Sequence, residues 1–118
     1  MTAPNSDKEF VAHVVDLMQS LGPVYAKSMF GGHGIFFQGL MFGLVADNVL
    51  YLKVDTETEE EFKTQGLLPF TYNKKGKEFK MSYYQAPEET LEENEKMKIW
   101  AQKAYGAALR SVSKKPQK

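Results

Sequence analysis

Apolar positions change period twice along this chain, and the changes divide it into elements. In "SDKEFVAHVVDLMQSLGP" Phe10, Val14, Leu17 and Leu21 recur at helical spacing, joined by Val11, Val15 and Met18. Ser6 and Glu9 stand at capping-box spacing, so the helix is expected to start near Ser6 and to stop at Gly22-Pro23. The next stretches, "AKSMF", "GIFFQ", "LMFGLVA" and "VLYLKV", are short and rich in aromatic and branched residues. They are separated by Gly31-Gly32, Gly39 and Asp47-Asn48, connections too short for parallel crossovers, which predicts an antiparallel meander. In the fourth strand Leu50, Leu52 and Val54 share an apolar face, and Val49, Tyr51 and Lys53 share the other.

"DTETEEEFKTQGL" predicts a short acidic helix with Thr56 and Glu59 as a second capping box and Phe62 as its anchor. "FTYNKKGKEFKMSYY" predicts a further hairpin turning at Lys75-Gly76. After Ala86-Pro87 a last helix is expected to open on Glu88 and Glu89. Its stripe of Met97, Trp100, Ala101, Ala104 and Ala108 is mostly small, which would let it lie close to the sheet. The fold expected is therefore α+β: an antiparallel meander sheet of about six strands, flanked by an N-terminal helix, a short middle helix and a C-terminal helix.

With 118 residues the chain suits one core, so a single domain is expected over 1–118, ordered over about 6–112 with a basic tail at 113–118. Fifteen basic residues balance fifteen acidic ones, which leaves any electrostatic recognition to local patches. The absence of cysteine excludes disulfides and thiol chemistry, and no apolar run is long enough to span a membrane; a cytoplasmic setting is expected.

The glycines of "SMFGGHGIFF" invite a phosphate-loop reading, but a strand follows them where the dinucleotide and Walker motifs require a helix. Gly31, Gly32 and Gly34 are instead expected to form a structural turn or bulge with positive φ, or to admit a neighbouring backbone. A zinc site built on the two histidines, His13 and His33, would require carboxylate ligands from unknown positions, and no H-E-x-x-H spacing exists; no metal and no cofactor is expected. A ligand or enzymatic site at His33 with Tyr83 or Tyr84 as polar partner ranks third among the functional readings. The glutamate runs read as solvated helix faces, with no nucleophile beside them.

Lys74, Lys75, Lys77 and Lys80 cluster around the second hairpin, with Tyr72, Tyr83 and Tyr84 close in sequence. Such interleaving suits nucleic-acid binding, although lysines on an edge hairpin also prevent strand pairing between molecules. With eight Phe, six Tyr and one Trp, a few aromatics such as Phe36, Phe37 or Tyr84 are expected to remain exposed as an interaction patch.

"KSMFGGHGIFFQGLMFGLVADNVLYLKVD" followed by "FTYNKKGKEFKMSYYQAPEE" resembles the N-terminal domain of the TfoX/Sxy family of bacterial competence regulators, over about residues 10–108. The resemblance implies an α+β domain without enzymatic activity, linked to transcription and bound to a protein partner of the cyclic-AMP receptor type. Full-length family members carry a second, mainly helical C-terminal domain, which is not expected within these residues. The leading expectation is thus a protein-binding regulatory module. Direct DNA contact through the lysine hairpin is the alternative, and a homodimer through a sheet edge or helix packing is also expected.

Overall fold

The computed structural model describes residues 3–29 and 32–113. Its elements are α1 (Ala3–Leu17), β1 (Tyr25–Met29), β2 (Gly32–Phe37), β3 (Leu40–Ala46), β4 (Val49–Lys53), α2 (Glu59–Thr64), β5 (Pro69–Lys74), β6 (Lys77–Gln85) and α3 (Asn94–Ser113). Helix α1 begins before Ser6, which therefore lies inside the helix and not at its cap. It tightens into a 3₁₀ turn at Met18–Ser20, and the Gln19 side chain donates to the carbonyls of Val15 and Val24 as the chain leaves. At Gly22 φ is +146°, and the Phe37 ring lies where a Cβ would project, so the stop at this residue has both a conformational and a packing cause.

The strands form one antiparallel sheet in the order β1-β2-β3-β4-β6-β5. Three of its hairpins turn on two residues with positive φ: Gln38-Gly39, Asp47-Asn48 and Lys75-Gly76. Those dihedrals match the right-handed twist of the flanking strands, which is why short Asn- and Gly-bearing connections were sufficient to predict the meander. A bulge at Phe42, between the Ile35–Gly43 and Phe36–Met41 pairs, turns that ring into the core.

All three helices cover one face of the sheet. Val14, Met18, Ile35, Phe42, Val45, Leu50, Leu52, Phe62 and Met97 are buried together there. Trp100, Ala101, Ala104 and Ala108 are buried with them, as the α3 stripe predicts, and the small alanines allow the close helix–sheet approach. Phe62 anchors α2 by meeting Trp100 edge-on at 5.1 Å between ring centroids and Tyr84 at 6.0 Å. Helix α3 starts later than expected: Glu88 and Glu89 belong to a separate 3₁₀ turn, in which the Thr90 hydroxyl donates to the Pro87 carbonyl at 2.6 Å.

The α2 cap also differs from expectation. Asp55, not Thr56, brackets the turn: its Oδ1 accepts from the backbone N–H groups of Glu57 and Thr58, while the Thr58 hydroxyl accepts from the Asp55 N–H. The same carboxylate receives Arg110 of α3, with Nε donating at 2.6 Å and Nη2 at 3.2 Å, so one side chain joins the end of β4, the start of α2 and the last helix. The guanidinium first, and then the backbone donors, hold the Asp55 carboxyl down at about 2. No helix among the described residues is long and apolar enough to cross a membrane.

Candidate binding face and its family

Strand alternation assigns every second side chain to the face that the helices leave open. On β1–β3 these are Tyr25, Lys27, Met29, Phe36, Met41 and Leu44; on β4 and β6 they include Tyr51, Lys53, Phe79, Met81 and Tyr83; on β5 they are Phe70, Tyr72 and Lys74. No element among the described residues covers them. Leu44 and Tyr83 are nonetheless only 1% and 6% exposed, because the large side chains beside them close over the sheet. Burial pushes the Tyr83 hydroxyl up to about 12.

The face has two patches. In the first, Tyr25 stacks on Phe36 at 5.6 Å and the Lys27 ammonium lies 5.3 Å from the Phe36 ring centroid. Gly34 is the floor of this patch: a Cβ there would come within 2.7 Å of the Met29 sulfur, 2.9 Å of the Phe36 ring and 3.2 Å of the Met41 sulfur. In the second, an aromatic row runs from Tyr51 to Phe70 at 5.0 Å, from Phe70 to Tyr72 at 6.4 Å and from Tyr72 to Phe79 at 5.5 Å. A depression of about 490 Å³ lies along it, lined by Phe70, Tyr72, Asn73, Lys74 and Met81.

Several expected site residues are placed differently. Gly32 and Gly34 lie in β2 with no positive φ, so they are strand residues and not turn residues; Gly31 lies outside the described residues. What Gly32 does provide is close approach, since a Cβ on it would overlap the Val45 carbonyl oxygen. His33 is half-buried in β2 opposite Ser28 and Val45, on the helix-facing side. Strands β3 and β4 stand between it and β6, a separation of about 14 Å at ordinary strand spacing. Tyr83 and Tyr84 point to opposite faces, and Tyr84 is buried on the helix side, donating to Glu59 at 2.9 Å. The three residues therefore form no common site. His13 is a bridging residue, with Nε2 3.0 Å from the Leu91 carbonyl oxygen.

Of the lysines, Lys74 and Lys77 pair across the hairpin on the open face and Lys75 occupies the turn, whereas Lys80 faces the helix side beside Asp55 and Glu59. Of the three aromatics expected to form a patch, Phe36 is on the open face, Phe37 packs onto Tyr105 at 5.0 Å, and Tyr84 is in the core. Sequence reasoning missed Phe70 and Phe79 as partners of Tyr72. Their alternation with Asn73 and Lys80 was visible, but which face lacked a helix was not.

The fold is an α+β domain whose antiparallel sheet has one helix-covered face and one open, aromatic face, and among the described residues there is no group of three or more His, Cys, Asp or Glu that could hold a metal. The chain belongs to the TfoX N-terminal domain family, whose profile matches residues 16–108. It is also 33% identical over 73 residues to the DNA transformation protein TfoX1 of Aliivibrio fischeri (strain ATCC 700601 / ES114), a stretch covering 62% of this chain and 35% of that relative. The chain thus spans about a third of that relative's length.

Proposed function

We propose that this chain is a non-catalytic regulatory module of DNA transformation that docks a protein partner on the β1–β3 part of its open face. The supporting observation is the cluster of Met29, Phe36 and Met41 over Gly34, beside a Tyr25 that is 42% exposed. Thioethers adapt their shape to a partner, and an aromatic neighbour gives a rigid anchor of large area. A regulatory role follows the relative named for DNA transformation, and a cyclic-AMP receptor-type transcription factor is the partner that the family resemblance implies.

The test is a fluorescence titration of the labelled chain with such a receptor bound to a promoter duplex. A ternary complex is expected, weakened at least tenfold by Tyr25→Ala combined with Met41→Ala, while the urea midpoint stays within a few tenths molar of the parent. Failure to form the complex at tens of micromolar protein, or a complex indifferent to both substitutions, would refute the reading.

A further inference from the structure

The β5–β6 hairpin outgrows the sheet that carries it. Strand β4 pairs with β6 only from Tyr51 to Lys53, opposite Gln85 to Tyr83, so the ladder from Thr71–Lys80 to Lys74–Lys77 has no third strand. It is a two-stranded arm. On its open side Tyr72 and Phe79 form a cross-strand pair, 42% and 41% exposed, with their planes only 27° apart, and Phe70 continues the stack at 24° to Tyr72. An isolated ribbon gains stability from such a pair, but rings left this accessible also offer flat apolar faces to solvent.

The strand charges on their face are of one sign; the carboxylate acting on this row, Asp47, stands in the β3–β4 turn and acts on Tyr51 at the row's far end. By strand alternation the open face carries Lys27, Lys53, Lys74 and Lys77, and no Asp or Glu in any described strand points to that side; Glu78, the one strand carboxylate, faces the other way opposite Asn73. The molecule is neutral overall, so this is a segregation of charge and not an excess. Lys74 and Lys77 stand directly opposite each other, with Lys75 in the turn between, a like-charge arrangement that costs stability until an anion meets it. Lysines that served only to keep an edge strand from pairing would not need a row of stacked, partly exposed rings beside them.

We infer that this arm and the adjoining open face bind a single-stranded polynucleotide, with bases stacking on Tyr72 and Phe79 and backbone phosphates meeting Lys53, Lys74 and Lys77. A planar, polyanionic, sequence-variable ligand matches both the rings and the uniform charge. A duplex hides its base faces and would use the lysines alone. This surface is separate from the β1–β3 patch assigned above to a protein, so either assignment can fail without the other.

The experiment is anisotropy of labelled single strands of about 15 nucleotides, oligo-dT and oligo-U, and of a duplex of equal length, titrated with the full chain from low to physiological salt. Single strands of either sugar are expected to bind more tightly than the duplex. Tyr72→Ala and Phe79→Ala should each weaken single-strand binding about 5- to 100-fold in protein that urea unfolding shows to be still folded, the lost ring pair lowering the midpoint only slightly. Lys74→Gln with Lys77→Gln should lower the slope of log K against log salt by about 1.4. Tighter binding of the duplex, or single-strand affinity indifferent to the two ring substitutions, would overturn the inference. So would no oligonucleotide binding at low salt; loss of the protein complex on those same substitutions would then give the arm to the protein interface.

Discussion

Replacing Asp55 with Asn tests how far one surface-proximal carboxylate joins three elements of the fold. Asn keeps the shape and the Oδ1 that accepts from Glu57 and Thr58, but it sets an amide donor against the Arg110 Nε–H that now lies 2.6 Å from Oδ2. The carboxyl is held at about 2 against an ordinary 3.8, which at about 1.36 kcal/mol per pH unit has a ceiling of roughly 2.4 kcal/mol. The Arg110 side chain is 32% exposed, so solvent screening reduces the expected contribution to about 1 kcal/mol. Because the folded-state value is depressed, this stability is fully present above about pH 4 and is lost as the pH falls towards 2.

Urea unfolding followed by the fluorescence of Trp100, the one tryptophan, supplies the assay. The parent should exceed Asp55→Asn by about 1 kcal/mol at pH 7, and the gap should narrow steadily between pH 4 and pH 2. A gap of that size that does not change with pH would mean that the loss is steric, and would refute the assignment of a charge-dependent link between β4, α2 and α3.

Gly32→Ala should cost about 1–3 kcal/mol in urea unfolding through the collision of its Cβ with the Val45 carbonyl; an unchanged midpoint would show that the strands can part there without penalty. Phe62→Ala removes a fully buried ring between Trp100 and Tyr84 and should destabilise by about 3–5 kcal/mol with a shift in Trp100 emission, whereas a loss below about 1 kcal/mol would contradict its role as the α2 anchor. Tyr83 should ionise late in an ultraviolet titration, near 12; since its folded-state value is raised from 10.0, stability should fall as the pH rises from about 10 to 12, and Tyr83→Phe should flatten that fall.

The secondary structure was largely legible because its signals are local. Helical spacing from Phe10 to Leu21, alternation in Leu50, Leu52 and Val54, and turn residues at Gly39, Asp47-Asn48 and Gly76 each act over a few neighbouring residues, and each element formed where they stand. The α3 stripe was legible for the same reason, since 3.6-residue periodicity alone puts Met97, Trp100, Ala101, Ala104 and Ala108 on one side. Element ends were less so: in place of a Thr56–Glu59 box, Thr58 precedes α2 and the Asp55 carboxylate brackets the turn while also holding Arg110, a partner 55 residues away that no local pattern announces.

What the chain's local pattern could not contain is the choice of neighbours. Placing β6 and not β5 beside β4 sets Tyr83 opposite Lys53 and Tyr84 opposite Leu52, and leaves the ladder from Thr71–Lys80 outwards as a free arm. Placing all three helices on one side turns an ordinary alternation of Tyr, Phe, Met and Lys into an uncovered face, and the strand order keeps two strands between His33 and the tyrosines Tyr83 and Tyr84. Alternation says that two faces exist; only packing between distant segments decides which one is buried, because burial is a property of what lies across from a side chain and not of its place in the chain.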